Sequence, residues 1–567
     1  MSCISRRRLR AGRGLLSGAL LLAFGQLAHA QNDAGSLLRQ SEPRTPELPG
    51  RAPALTTPTA PATPAAASGP RFELKSVEIE GNTLLSRAEL DAVLAPWVGQ
   101  RVGMAELQQA ASAVQQAYAQ RGWLVQAYLP RQDVSSGHVR LRIVEARFGG
   151  VRLEGEPGRF NPALARAIIG AAQPTGQALN QQALDRGLML VDDLPGVSMS
   201  ASLQAGEQEG ETALALRLTD TPRFGGELGS DNAGGRATGT GRLFATLRLD
   251  GPLGRGDQFS TTLLHSQGND YLRLGGSLPV GVNGWRLGAN VSTLSYKLTE
   301  QDFNALDGRG RSHTAGLDAS YPLVRSRDRN LYLQLSAERR YFRNEANGTL
   351  ISRYHADVGT LGLSGNLFDT WGGGGSTGGG LVFSLGRLNL NDSPNAAADA
   401  ASVRTAGSFA KLRYSLSRLQ PLNAWLAGYA SLSGQFADGN LDSSEKLYLG
   451  GPQGVRAYPA NEGGGSAGSL LNLELRATLS PQWRLIGFYD RGQVRTNVDN
   501  RLVGSDPNSY VLEGAGASLG WSGPKASDVR LTWARRFGHN PNPTSTGQDQ
   551  DGSLKRNRVW LQASLSF

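Results

Sequence analysis

Two periodicities divide the chain. Between residue 71 and about residue 222, apolar side chains recur at helical spacing between short extended runs. From Phe224 to Phe567 helical spacing gives way to strict alternation. Leu243, Ala245, Leu247 and Leu249 fall on one side of an extended chain, with Arg242, Thr246, Arg248 and Asp250 on the other. Val529, Leu531 and Trp533 alternate with Arg530, Thr532 and Ala534, and Val559, Leu561, Ala563, Leu565 and Phe567 with Trp560, Gln562, Ser564 and Ser566. A soluble antiparallel sandwich and a membrane barrel share this pattern. So many polar positions leave too little apolar material for a sandwich core, which favours a barrel with lipid outside and a polar lumen. Strands of ~10 residues in a ~16-strand barrel leave connections of ~12 residues on average, which suits alternating short turns and long loops.

The middle of the chain predicts two α+β units of one plan. In the first, Phe72 to Glu80 is a strand turned by Gly81-Asn82. Ser86 caps a helix, with Glu89 completing a capping box. Leu107, Ala110, Val114, Ala117 and Tyr118 set a helix over 105–120, ended by Arg121-Gly122, and strands follow at Trp123–Leu129 and Val139–Val144. The second unit repeats the order. It has a strand at Val151–Glu154, a helix capped by Asn161 with Pro162 first, a helix over Asn180–Val191, and strands at Val197–Gln204 and Thr212–Thr219.

Composition sharpens this picture. Apolar residues make up 39%, and after the N-terminus no stretch approaches the ~18 consecutive apolar residues of a membrane-spanning helix. The 74 glycines favour turns, loops and close strand packing. Residues 1–30 read as a secretory signal peptide: Arg6, Arg7, Arg8, Arg10 and Arg13, then apolar Leu15 to Leu22, then Ala28-His29-Ala30 as a cleavage site. Removing it takes away the single cysteine, Cys3, and lowers the formal charge from +10 to +5, so half of the net basicity is targeting and no nucleic-acid partner is expected. Residues 31–70 are a Pro/Ala/Thr-rich linker in which Ala34 to Gln40 could form about two helical turns. The expected divisions are therefore 1–30, 31–70, 71–146, 147–222 and 223–567.

Candidate catalytic chemistry is thin. Gly464-Gly465-Ser466-Ala467-Gly468 fits a nucleophile-elbow pattern but follows no apolar strand. The six histidines are scattered without metal spacing, and the glycine tract Gly372 to Gly380 lacks the lysine of a phosphate loop and reads as a turn or loop. No enzyme activity, cofactor or metal is expected.

A signal peptide, a Pro-rich linker, two α+β repeats and a C-terminal barrel together resemble the two-partner secretion transporters of the Omp85 superfamily. Val77 to Thr83, Arg121-Gly122-Trp123 and the Leu-Pro-x-Gln turn in Ala127 to Gln132 look like the first POTRA domain of that family. Gly450 to Pro459 resembles the Val-Arg-Gly/Ala-Tyr motif at the tip of the sixth loop, here Val455, Arg456, Ala457 and Tyr458. Phe488, Asp490 and Gly492 match a Phe-x-Asp-x-Gly motif on a late barrel strand. The resemblance implies that Arg456 pairs with Asp490 inside the lumen, with Tyr458 and Phe488 packed around the pair. Losing one partner would then cost about 3–5 kcal/mol if the pair is shielded from water and about 0–1 if it is wet. Ala457 stands where many superfamily members have glycine, which would carry strain if the position needs a positive φ. Phe567 ends the last alternating strand as a C-terminal barrel signal.

The resemblance further implies an outer-membrane pore of a Gram-negative bacterium, a barrel of 16 strands with two POTRA domains in the periplasm. They would capture a large secreted partner (adhesin, haemolysin or contact-dependent toxin) by β-augmentation and pass it outward unfolded, without ATP. The Ala34–Gln40 segment would be the family's plug helix. Outer-membrane lipid, periplasmic chaperones and the barrel-assembly machinery are the other implied partners. An assembly factor that inserts other barrels is the alternative, less favoured because such factors usually carry more POTRA units.

Overall fold

The computed structural model describes residues 33–42, 50, 71–155, 158–208, 210–300, 307–505 and 507–567. The signal peptide expected at 1–30 and most of the linker expected at 31–70 lie outside these residues.

The first unit holds strands β1 (Phe72–Glu73), β2 (Ser76–Glu80), β3 (Arg101–Val102), β4 (Val125–Tyr128) and β5 (His138–Glu145), with helices Arg87–Leu94 and Met104–Gln120. The single strand expected over Phe72–Glu80 is two. Phe72 and Glu73 pair with Val102 and Arg101, and the chain then switches partner so that β2 runs parallel to β5. The main sheet has the order β2-β5-β4. Its core joins Val77 and Ile79 of β2 to Leu107, Val114 and Tyr118 of the longer helix. The Gln132 side chain closes the Leu-Pro-x-Gln turn, accepting from Arg140 N–H at 2.6 Å and donating to the Arg140 carbonyl at 2.7 Å.

The second unit repeats the plan with β6 (Arg147–Leu153), β7 (Val197–Ala205) and β8 (Glu211–Asp220) in the order β6-β8-β7, under helices Pro162–Ala172 and Gln181–Asp192. Asn161 and Asn180 cap those helices with their side-chain oxygens. This unit grips the turn between two barrel strands. Arg325 donates twice to Asp193, both at 2.8 Å, and Arg327 bonds Asp185 at 2.7 Å.

From Phe224 the chain forms a closed antiparallel barrel of sixteen strands. The last strand, Asn557–Ser566, pairs with the first, Phe224–Asp231, so no edge remains unpaired. Alternation decides which face is which. Leu243, Leu247, Val559 and Leu561 are exposed on the outer wall, while Trp560 and Ala534 are buried inward. Stacked Trp285 and Tyr321, 4.8 Å apart, and Trp483 beside Trp521 place aromatic pairs at the short-turn end of the barrel, as expected of an aromatic belt at a membrane interface.

Two local expectations change. Gly375–Gly380 belongs to the strand Gly375–Asn389, and only Gly372, Gly373 and Gly374 form the turn, each with positive φ. Pairing to Ser415 and Ser417 of the next strand supplies order that glycine composition hides. A short helix, Ala396–Ala401, interrupts the extracellular loop that follows. Its run of alanines is too brief to show helical periodicity.

Candidate functional site

The sixth extracellular loop, residues 438–466, turns back into the barrel instead of standing outside it. Leu447–Tyr448 and Gly464–Gly465 pair as its stem, and the tip is drawn tight by Val455 N–H on the Leu449 carbonyl at 2.7 Å and Tyr458 N–H on Val455 at 3.0 Å. Glycine is required here: a Cβ on Gly454 would lie 1.8 Å from the Leu449 carbonyl oxygen, and one on Gly450 2.1 Å from that of Pro459. Apolar packing seats the tip against the wall, joining Leu449, Val455, Ala457 and Tyr458 to Phe488, Val494 and Leu512.

At the centre of this seat Arg456 meets Asp490. The guanidinium donates from Nε to Oδ2 at 2.9 Å and from Nη2 to Oδ1 at 2.7 Å, and the Arg456 backbone N–H adds a bond to Oδ2 at 3.0 Å. Asn472 Nδ2 donates to the remaining side of Oδ1 at 2.7 Å. Asp490 is 0% exposed and Arg456 8%, so the pair is shielded from water. Bidentate, charge-assisted bonds in such a place are directional as well as strong.

Three further contacts complete the seat, and two of them, from Glu474 and Trp560, belong to no motif. Glu474, one strand away, accepts from Arg456 Nη1 at 2.9 Å. The Phe488 ring lies 3.5 Å from the guanidinium carbon, a cation–π contact. Trp560 of the last strand donates its indole N–H to the Arg456 carbonyl at 2.8 Å. Of the two aromatics expected around the pair, only Phe488 stacks on it. Tyr458 points instead toward Arg536, whose guanidinium is 5.7 Å from its ring. Ala457 is not among the residues with positive φ, so it carries no left-handed strain. Its methyl packs on Gly514, where a Cβ would come within 2.5 Å. Gly492 is needed for the same kind of reason, since a Cβ there would meet Leu449 at 2.8 Å and Val455 at 3.0 Å.

The loop is tied at two other places. Near its start, Glu445 is buried between Lys411 and Arg340, with Arg340 Nη1 at 2.9 Å. Near its end, Glu462 accepts from Asn540 at 2.8 Å and from Gln550 N–H at 2.9 Å, both in the last extracellular loop.

Beside the loop lies helix α1, Ala34–Ser41, inside the barrel. Asp33 caps it through Ser36 N–H at 2.8 Å. Ala34, Leu37 and Leu38 pack on inward-facing Leu294, Tyr296, Phe342 and Tyr354. Its polar contacts reach both wall and loop. Asn344 accepts from Ala34 N–H at 3.0 Å, Asn269 donates to Ser41 at 3.2 Å, and Ser443 of the sixth loop donates to Asp33 at 2.7 Å. Gly35 permits the close approach, since a Cβ there would meet Ser443 Oγ at 2.5 Å. Phe567 sits on the outer wall, 58% exposed, its backbone bonded both ways to Gly226.

A family model for haemolysin secretion/activation proteins of the ShlB/FhaC/HecB type matches residues 210–523, and one for ShlB-type POTRA domains matches residues 72–146. The heme/hemopexin transporter protein HuxB of Haemophilus influenzae is 26% identical over 580 residues, covering 99% of this chain and 100% of the relative. The outer membrane transporter CdiB of Escherichia coli strain 536 is 27% identical over 532 residues, 89% of this chain and 85% of the relative. Among solved structures, CdiB from Escherichia coli superposes with a TM-score of 0.70 at 23% identity, covering 99% of this chain and 100% of that one, a likeness of fold.

Proposed function

Because the chain belongs to the haemolysin secretion/activation protein family, a family of outer-membrane secretion pores, we propose that it passes one large secreted partner protein from periplasm to cell surface, unfolded and without nucleotide hydrolysis. It is an outer-membrane protein with its POTRA units in the periplasm.

The observation that carries this reading is a lumen occupied by a short helix and an inward-folded loop. An eight-residue helix is marginal on its own, so α1 persists in the barrel through its contacts. Two buried leucines contribute about 1.5–3 kcal/mol each, and its hydrogen bonds can be exchanged for water. A short segment held by these few non-covalent contacts acts as a plug that a partner can displace. The Arg456–Asp490 lock holds the sixth loop beside it, so the pore wall keeps its shape while the plug leaves. The inner wall is polar, with Arg340, Lys411, Arg413 and Glu474 facing inward, which suits an extended chain better than a folded core.

Capture falls to the POTRA units, where β4 is an edge of its sheet and can accept an added strand. Relatives named as heme/hemopexin and hemolysin transporters support a large secreted protein as the cargo, and the motif resemblance narrows it to an adhesin, haemolysin or contact-dependent toxin. Phe567 serves as the signal by which periplasmic chaperones and the barrel-assembly machinery deliver the barrel to lipid.

The test is deletion of residues 71–146 with mass spectrometry of the medium and cell surface, checking that the barrel still resists heat in detergent. Loss of one very large surface or secreted protein, with other outer-membrane barrels at normal levels, supports the proposal. A joint fall of many barrels would instead identify an assembly factor.

A further inference from the structure

The lipid-facing wall is not uniform. Three consecutive strands, Arg309–Arg325, Arg329–Ala346 and Thr349–Asp369, run to 17, 18 and 21 residues, well beyond the ~10 that cross a bilayer. Their outward positions carry arginine toward the extracellular end. Arg311 pairs directly across from Arg343, and Arg343 directly across from Arg353. Like charges opposite one another on adjacent strands repel. Arg343 shares Glu345 with Arg309, while exposed Arg311 and Arg353 have no carboxylate partner among the described residues. Two outward positions below, Asp357 answers Arg339 at 2.5 and 2.9 Å, with Arg387 as the next cross-strand neighbour.

Height places this row. Tyr321 of the periplasmic aromatic belt pairs with Leu333, and Arg343 follows ten residues later on the same strand. At about 3.3 Å per residue and a tilt of about 40°, the arginine row stands about 25 Å above the belt, at the outer boundary of the hydrocarbon. Tyr341 lies between the two charged rows.

Beneath the charges the outer wall is hollowed. Small outward residues Ala315, Ala337 and Gly359 leave a depression of about 1230 Å³ bordered by Leu274, Leu317 and Leu385, with Arg339, Asp357 and Arg387 also lining it. A row of mutually repelling cations at headgroup height above an apolar hollow fits one kind of molecule.

We propose that this face binds a phosphorylated glycolipid of the outer leaflet, with phosphates held by Arg311, Arg343 and Arg353 and acyl chains lying in the hollow below. Arginine suits the role because its planar fork matches phosphate oxygens. Apolar burial in the hollow adds affinity for the chains. Repulsion within the row argues against a second copy of this chain as the occupant.

The full-length protein in detergent is titrated with a phosphorylated hexa-acyl glucosamine disaccharide and with its dephosphorylated form, and bound lipid is read by native mass spectrometry. Wild type is expected to bind the phosphorylated form. The combined change Arg311→Gln, Arg343→Gln and Arg353→Gln should weaken binding by about tenfold or more, as should removing the phosphates. The matched change Arg491→Gln, Arg495→Gln and Arg535→Gln elsewhere on the outer wall should leave binding intact. Ala337→Phe, which fills the hollow and leaves every arginine in place, should also weaken it and serves if the triple variant fails to form a heat-resistant barrel. Equal binding of the dephosphorylated lipid, unchanged binding by the triple variant or by Ala337→Phe, or lipid-free pairing of two chains through this face would overturn the proposal.

Discussion

Replacing Asp490 by alanine tests the lumenal lock directly. The carboxylate accepts four hydrogen bonds of 2.7 to 3.0 Å, three of them from Arg456 and one from Asn472. Removing one partner of a buried ion pair costs about 3–5 kcal/mol, because the other charge is left unsatisfied. Glu474 remains on Nη1 at 2.9 Å and shares the compensation, so the lower end, about 3 kcal/mol, is expected. Referred to the loop alone, that is a shift of about a hundredfold from seated toward unseated. The apolar seat around Leu449 and Tyr458 is untouched, so the barrel still forms. The assay is the heat-induced mobility shift of the barrel on gels, together with proteolysis within 438–466 at fixed temperature. Asp490→Ala should lower the unfolding midpoint and open the loop to cleavage. Asp490→Asn should do nearly as much, since an amide turns one acceptor into a donor facing the guanidinium. Pairing Asp490→Ala with Arg456→Met should cost less than the two separate losses summed. If Asp490→Ala alters neither the midpoint nor cleavage, water must reach the pair and the argument from burial fails.

Three other perturbations probe the surrounding structure. Leu37→Ala with Leu38→Ala removes the apolar anchor of α1, at about 2–5 kcal/mol per site, and should raise the conductance of the pore in planar bilayers; unchanged conductance would mean that the helix does not obstruct the lumen. Gly454→Ala brings a methyl against a backbone carbonyl that cannot withdraw, and should unseat the loop tip as Asp490→Ala does, visible as the same new cleavage. In the first POTRA unit, burial pushes the Glu145 carboxyl up, but hydrogen bonds from the Thr83 hydroxyl, the Leu84 and Thr83 N–H groups and Tyr118 outweigh it and hold the pKa below 4.5. A carboxyl whose folded pKa is depressed stabilises the fold above its unfolded value and loses that contribution as pH falls through the folded one. Glu145→Gln should therefore lower the first calorimetric transition of the full chain at pH 7, and the gap to wild type should narrow below pH 4.5; a gap that does not change with pH would contradict the assignment.

Short-range pattern carried much of the architecture. Alternation such as Leu243 to Leu249 separates lipid-facing from lumenal positions, because a strand has a period of two wherever it lies. The caps Ser86 and Asn161 announce their helices because a side-chain oxygen satisfies amides only two or three residues away. Arg456 and Asp490 could be named together only through motif resemblance, since nothing local links residues 34 positions apart. Closure of the barrel decided the rest. It brought Glu474 and Trp560 to Arg456, set Tyr458 beside Arg536, and buried Glu445 between Lys411 and Arg340 and Glu462 against the last loop. It also turned Gly375–Gly380 into strand and aligned Arg311, Arg343 and Arg353 on the outer wall. The sequence by itself determined which faces of each strand are apolar and where helices begin. Which distant charges meet depends on strand register and on a loop folded inward, and those are properties of the closed sheet as a whole.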